Sequence, residues 1–241
     1  LSNPISPIPR HKGLCVGTVR GGGRMNRPRI LMADDHAIVL AGLRKLVEAE
    51  GEVVGMVEDG RALVEAAQQL RPDIVLLDIS MPLLNGLDAA RQISKLVPES
   101  KLIFLTMHAT PTYATEAFKA GASGYLIKRS AAVELKQAIQ AVMRGQHYMT
   151  PLITKDVLAA TLQSPDGQSN KPLVTSLTQR QREVLQLVAE GKGTKAIASI
   201  LNISVKTVEF HKFRIMSELD LHSTAELVKY AIGEGLVSVS S

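Results

Sequence analysis

From residue 29 to about residue 144 the chain alternates short apolar runs with longer stretches whose apolar residues recur every three or four positions. Arg29–Ala33, Val53–Glu58, Asp73–Leu77, Lys101–Leu105 and Ser123–Ile127 read as strands. Continuous apolar runs of this length, closed by polar or turn residues, fit strands covered on both faces. Between them Val39, Leu43, Leu46 and Val47 share one helical face, as do Leu63, Ala67 and Leu70, and later Val133, Leu135, Ile139 and Val142. Five strands separated by helices predict an α/β unit, a parallel five-stranded sheet with helices on both faces.

The rhythm stops near residue 148. Pro151, Ser164-Pro165-Asp166-Gly167, Ser169-Asn170 and Lys171-Pro172 punctuate the next stretch, so 148–176 reads as a surface linker. From 177 to 241 only helical periodicity remains, which predicts a small all-α domain. Thr178 and Gln181 have the spacing of a capping box in front of Val184, Leu185, Leu187 and Val188. Gly191-Lys-Gly193 ends that helix, a short one runs from Thr194 to about Leu201, and Asn202-Ile203 turns into a third that Ser204 caps. Two short helices across a tight turn suggest a helix-turn-helix.

On the third helix, 204–218, Val208, Ile215 and Leu219 fall on one side, and Lys206, Glu209, Phe210, Phe213 and Ser217 on the other. Outward aromatics are costly unless a partner covers them. A DNA major groove offers thymine methyls to Phe210 and Phe213 and a cytosine amine to Glu209. Lys206, Lys212 and Arg214 are then placed for phosphates. A protein groove would also cover two phenylalanines, so at this point a protein-binding role stays open.

Charge does not decide between these readings. The formal net charge is +5 and the pI about 9.4, yet residues 1–24 hold four basic residues and no acids. Residues 25–176 balance at 16 of each sign, and 177–241 carry 8 basic and 7 acidic residues. Any affinity for nucleic acid must come from local placement. The first 24 residues, with Pro4, Pro7, Pro9 and Gly21-Gly22-Gly23, cannot pack a core and read as a disordered tail before a folded unit spanning 25–147. A single cysteine, Cys15, excludes an intrachain disulfide and a cysteine-rich zinc cluster. No apolar run approaches the ~18 residues of a spanning helix, and a signal-peptide core is missing. The expectation is a cytoplasmic protein without membrane contact.

In an open parallel sheet, ligands bind beyond the carboxyl ends of the strands. Here the residues closing the strands are polar: Asp34-Asp35 after the first, Asp78 after the third, Thr106 after the fourth and Lys128 after the fifth. Three carboxylates on one rim repel one another and call for a cation. Mg²⁺ suits them, since it prefers oxygen ligands and is commonly shared with a phosphate. A carboxylate can act as nucleophile toward phosphorus. Asp78, at the centre of a flavodoxin-like strand order, is the candidate acceptor, with Asp34 and Asp35 holding metal and Lys128 pairing with phosphoryl oxygens.

Asp34-Asp35, Asp78-Ile-Ser-Met-Pro-Leu-Leu-Asn-Gly86, Leu105-Thr106 and Gly121-Ala-Ser-Gly-Tyr125-Leu-Ile-Lys128 closely resemble the receiver domains of two-component response regulators. The resemblance implies a (βα)5 fold and phosphorylation of Asp78 by a sensor histidine kinase. It also implies Mg²⁺ on Asp35, Asp78 and the Ser80 carbonyl, and a switch in which Thr106 moves toward phosphate and the Tyr125 ring fills the vacated space. Leu177 to Ile232 is similar to the LuxR-type helix-turn-helix of NarL/FixJ regulators, through Leu-Thr-Gln-Arg-Gln-Arg-Glu-Val-Leu, Lys195-Ala-Ile-Ala and Ser204-Val-Lys-Thr-Val-Glu-Phe-His211. That likeness implies double-stranded DNA as partner, with helix 204–218 in the major groove and Lys195 and Thr207 on the backbone. It also implies a last helix near Thr224–Ile232 that supports a homodimer when the protein is phosphorylated. His211, between the two faces, is expected to pack or to touch a phosphate. Gln181, Thr194 and Glu218 depart from the usual Glu, Asn and basic residue of that family, and Glu218 removes one phosphate contact.

An enzymatic reading is disfavoured. Phosphatases of the haloacid dehalogenase type place a second Asp two residues after the nucleophile, where this chain has Ser80. No Gly-x-Gly-x-x-Gly follows the first strand, so dinucleotide binding is disfavoured too. The expected mechanism is a phosphorylation-dependent shift that frees or dimerises the helical domain.

Overall fold

The computed structural model describes residues 27–162 and 177–237. The expected tail, with Cys15, and the rest of the expected linker lie outside them. Among the described residues the first unit comprises β1 (Arg29–Ala33), α1 (Ala37–Glu50), β2 (Glu52–Val57), α2 (Gly60–Leu70), β3 (Ile74–Leu77), α3 (Gly86–Leu96), β4 (Lys101–Thr106), α4 (Pro111–Lys119), β5 (Ala122–Ile127), α5 (Ala131–Met143), β6 (Tyr148–Met149) and α6 (Pro151–Leu162). The order across the sheet is β2-β1-β3-β4-β5-β6, with every pair parallel.

The central strands bury both faces. Leu31, Val75, Leu77 and Phe104 enter one apolar core with α2, α3 and α4. Ile30, Met32, Ile74, Leu76 and Ile103 enter another with α1 and α5. That double burial is why these strands appear as unbroken apolar runs without alternation.

Two expectations are corrected. The sheet has six strands, not five, because Tyr148 and Met149 pair in parallel with Gly124 and Tyr125. The stretch expected to begin a linker at 148 starts instead with β6 and α6. Pro151 does not break structure, since at the first position of a helix its missing N–H has no intrahelical partner to lose. Ile153 is buried and Val157 packs beside it against the first core. Thr150 ties the segment down by donating its N–H to the Tyr125 carbonyl and accepting the Ile127 N–H on its hydroxyl.

The second unit holds α7 (Gln179–Ala189), α8 (Thr194–Leu201), α9 (Val205–Leu219) and α10 (Thr224–Gly233) around Leu185, Leu187, Ile197, Val208, Ile215 and Leu227. The capping box of Thr178 and Gln181 is formed in both directions, and Ser204 caps α9 by accepting the Thr207 N–H. Asn202 turns between α8 and α9 in the left-handed region, which Asn tolerates well. No helix among the described residues is long and apolar enough to cross a membrane.

Candidate functional site

Parallel pairing brings the carboxyl ends of β1, β3, β4 and β5 to one rim, and the polar residues that close them meet there. Asp34 and Asp78 are buried, and the Lys128 ammonium sits between them, 2.6 Å from Asp34 Oδ2 and 2.7 Å from Asp78 Oδ2. Burial pushes the Lys128 ammonium toward the neutral form, but the attraction of Asp78 and Asp34 outweighs it, so its pKa lies above the ordinary lysine value. Lysine thus serves as the cation that three clustered carboxylates require. Asp78 Oδ1 accepts the Ile79 N–H at 2.6 Å. Its two oxygens are therefore differentiated, Oδ1 toward the backbone and Oδ2 toward Lys128.

Asp35 stands at the mouth. Its carboxyl is pushed above the usual range, chiefly by burial and further by Asp34 and Asp78, against the lowering effect of His36. His36, not foreseen as part of the site, places Nδ1 2.7 Å from Asp35 Oδ1 and 3.2 Å from Asp34 Oδ1. Asp34, Asp35 and His36 offer ligand atoms within 4.8 Å of one another. Oxygen donors dominate this set, which suits a hard divalent ion.

The loop leaving Asp78 is shaped by a close approach. A Cβ on Gly86 would lie 1.9 Å from the Asp78 carbonyl oxygen, so only glycine lets α3 start this near the end of β3. Ser80 projects from the same loop, and its Oγ lies 3.0 Å from His108 Nε2. Thr106 is fully buried, and its Oγ1 accepts the His108 N–H at 3.3 Å.

Tyr125 points into the receiver core. Its ring is already fully buried, and its hydroxyl donates to the His108 carbonyl at 2.8 Å. The ring is held in this inward position by that bond and by packing near Phe104, 6.3 Å between centroids. Burial, then the neighbouring Tyr113 and Asp78, drives its phenol pKa well above the ordinary value.

On α9 the inward side is Val208, Ile215 and Leu219, as the periodicity predicts. Phe210 and Phe213 are 58% and 69% exposed, a large apolar area for a surface helix. Lys206, Glu209 and Arg214 are exposed beside them, and Arg214 lies 6.0 Å from the Phe210 ring centroid. Lys195 is exposed on α8. Two residues are more engaged than expected: Lys212 donates to Thr224 Oγ1 on α10 at 3.3 Å, and the Thr207 hydroxyl pairs with Ser204 Oγ at 2.8 Å. His211 is half-buried with its ring edge toward Phe210, and burial together with Arg180 lowers its pKa.

This pairing of sites matches known proteins. The family of the response regulator receiver domain matches residues 30–140, and bacterial regulatory proteins of the luxR family match residues 175–231. The oxygen regulatory protein NreC of Staphylococcus haemolyticus is 36% identical over 215 residues, which span 87% of this chain and 99% of that protein. The chain belongs to the response regulators with a LuxR-type output domain. Transcriptional regulatory protein DegU of Brevibacillus brevis is 34% identical over 229 residues, 89% of this chain and 97% of DegU. Among solved structures, the RcsB response regulator of Salmonella typhimurium aligns over 87% of this chain and all of its own, at 28% identity and a TM-score of 0.54. The RcsB–DNA complex aligns at 28% identity and a TM-score of 0.52, over 85% of this chain and 98% of that one.

In the regulator the output domain docks on the receiver through α7, beside the loop that leaves Asp78. Gln186 is buried and accepts the Asn85 N–H at 2.7 Å while donating to the Met81 carbonyl at 2.9 Å. Glu190 accepts the Leu83 N–H at 2.9 Å. Leu83, at a φ of 64°, holds the strained left-handed conformation and packs against the output-domain core. Arg182 donates to Asp88, which Arg91 and Asn85 also serve. Sequence reasoning missed this surface, although it had a signal: Arg182, Gln186 and Glu190 fall at four-residue spacing along α7 and its C-cap, beside the core residues Val184, Leu185, Leu187 and Val188. Phe210 and Phe213 on α9 stay exposed in this docked arrangement.

Proposed function

We propose that the regulator accepts a phosphoryl group on Asp78 from a sensor histidine kinase and binds double-stranded DNA through α9 to control transcription, acting as a cytoplasmic homodimer when phosphorylated. The observation that carries this reading is the part-buried Lys128 bridging the buried Asp34 and Asp78 at a strand-end rim. Asp78 Oδ2 attacks phosphorus, the bond to the donor histidine nitrogen breaks, and Lys128 turns from that oxygen to the transferred group while retaining Asp34. Asp34, Asp35, Asp78 and the Ser80 carbonyl would hold Mg²⁺, whose contribution is to neutralise charge on the transferring oxygens. The Thr106 hydroxyl is the nearest switch element, with Tyr125 holding the His108 carbonyl behind it. The regulator divides into a receiver over 27–162 and an output domain from 177.

For DNA, Phe210, Phe213 and Glu209 would meet base edges, Lys206 and Arg214 phosphates, and Lys195, Thr207, His211 and Lys212 the backbone around them. Output-domain charge is nearly balanced, so monomer affinity is modest and two half-sites supply much of the binding. The test is to incubate the full chain with fragmented genomic DNA, with and without acetyl phosphate and Mg²⁺, and sequence what is retained. A shared motif enriched further by the donor, and an Asp78→Asn protein indifferent to it, are the expected results. Retention of no motif would overturn the DNA reading, and a motif retained equally in all four samples would overturn the switch.

A further inference from the structure

We infer that His108 is a positioning residue through which the state of the acceptor site sets the seat of the output domain, with Tyr113 as its lever; this rests on Asp78 being the acceptor. His108 is half-buried between the two places that must communicate. Its main-chain N–H is held by Thr106 Oγ1 and its Nε2 by Ser80 Oγ, two hydroxyl groups that flank Asp78. Its ring stacks on Tyr113 of α4, 4.3 Å between centroids and 30° between planes. Tyr113 then reaches out of the receiver, its hydroxyl donating to the Glu234 carbonyl at the end of α10, 3.3 Å away.

The far end of this chain of contacts is closely fitted. Gly235 has a φ of +68°, and a Cβ there would lie 1.5 Å from Tyr113 Oη. A side chain at residue 235 would have to displace the Tyr113 hydroxyl and would be strained at this φ. Docking elsewhere depends on the same neighbourhood, since Gln186 and Glu190 grip the loop of residues 81–85 that leaves Asp78.

A phosphoryl group on Asp78 brings close to two negative charges and three strong acceptor oxygens. Ser80 and Thr106 carry hydroxyls able to donate to it, and both are His108's polar tethers on that side. Drawing them to the phosphate leaves the His108 main chain held by Tyr125 alone at its carbonyl, and frees the ring. Tyr113, stacked on that ring, moves with it and gives up the Glu234 carbonyl. The docked arrangement is thereby loosened, and α7 and the end of α10 are released from the receiver.

The Leu83 and Asn85 amides report on this directly, because output-domain side chains accept their hydrogens. Hydrogen exchange at these two amides in the full chain, with intact mass recording phosphorylation, is the experiment. Wild type treated with acetyl phosphate and Mg²⁺ should exchange at least about tenfold faster there than untreated protein, as local opening predicts. Gly235→Ala, which leaves the acceptor site untouched, should exchange fast without donor. His108→Phe keeps a ring for Tyr113 but no partner for Ser80, so its ring is already untethered on that side: without donor it should exchange faster than wild type, and phosphorylation should then add less than it does in wild type; Tyr113→Phe should lie between wild type and Gly235→Ala.

If Asp78 becomes phosphorylated and wild-type exchange at Leu83 and Asn85 is unchanged, the coupling is wrong while the acceptor assignment stands. A His108→Phe protein that responds as fully as wild type removes His108 from the chain of contacts. Absence of phosphorylation on Asp78 overturns the acceptor assignment and this inference with it.

Discussion

Replacing Lys128 with methionine isolates the electrostatics of the acceptor site. The Lys128 side chain is 11% exposed, and its ammonium lies 2.6 and 2.7 Å from the carboxylates of side chains that are 3% and 5% exposed. Two charge-assisted hydrogen bonds at about 1.5–3 kcal/mol each, or the ~3–5 kcal/mol lost when one partner of a buried pair is removed, bracket the effect. Asp78 keeps the Ile79 N–H and Asp34 keeps His36, which places the cost at the lower end, about 3 kcal/mol. For a receiver of this size, at ~2.1 cal/mol/K per residue, that is a fall of about 10 °C in Tm in EDTA. Far-UV circular dichroism is the suitable probe, since the chain has no Trp and only 4 Tyr. Mg²⁺ should then restore more stability to the variant than it adds to wild type, because in wild type the ion displaces or faces the ammonium; at a hundred times Kd a bound ion adds about 2.7 kcal/mol. A shift under about 2 °C in EDTA, or equal Mg²⁺ stabilisation of both proteins, would refute the view that Lys128 acts as the resident cation.

Phe210→Ala and Phe213→Ala should each leave unfolding within ~0.5 kcal/mol of wild type, because both rings are mostly exposed. Their DNA affinity, measured by fluorescence anisotropy, should fall about tenfold, equivalent to ~1.4 kcal/mol; unchanged affinity would remove the rings from the interface. Thr178→Ala breaks the capping box of α7 and should cost the output domain ~1 kcal/mol in urea unfolding, with a value near zero arguing that the helix start is held by other contacts. Gly86→Ala drives a Cβ into the Asp78 carbonyl, so labelling of Asp78 by acetyl phosphate should be lost together with ~1–3 kcal/mol of stability. Normal labelling would mean that the α3 entrance can yield without moving the acceptor.

Receiver strands and the acidic rim were legible because both are consequences of one rule: a strand buried on two faces must be apolar along its length, and its first polar residue marks where it emerges. Asp34, Asp78, Thr106 and Lys128 each stand at that transition. What the sequence concealed obeys no such periodic rule. β6 is two residues long, too short to establish a pattern, and its Tyr148 and Met149 acquire meaning only beside β5. Pro151 looks the same in sequence whether it opens a helix or interrupts one; the burial of Ile153 decides it.

The contacts between the domains are harder still, since they join residues about a hundred positions apart. Gln186 and Asn85 satisfy each other's buried polar groups, and neither would be recognised alone. Yet α7 did carry a clue, because a buried Gln, like a buried Asp88, is tolerated only when its hydrogen bonds are met. A polar residue on a helix face whose neighbours are core residues is therefore a question about a partner. In this regulator the partner is the loop that leaves Asp78, which places the domain contact and the proposed chemistry together on residues 78–88.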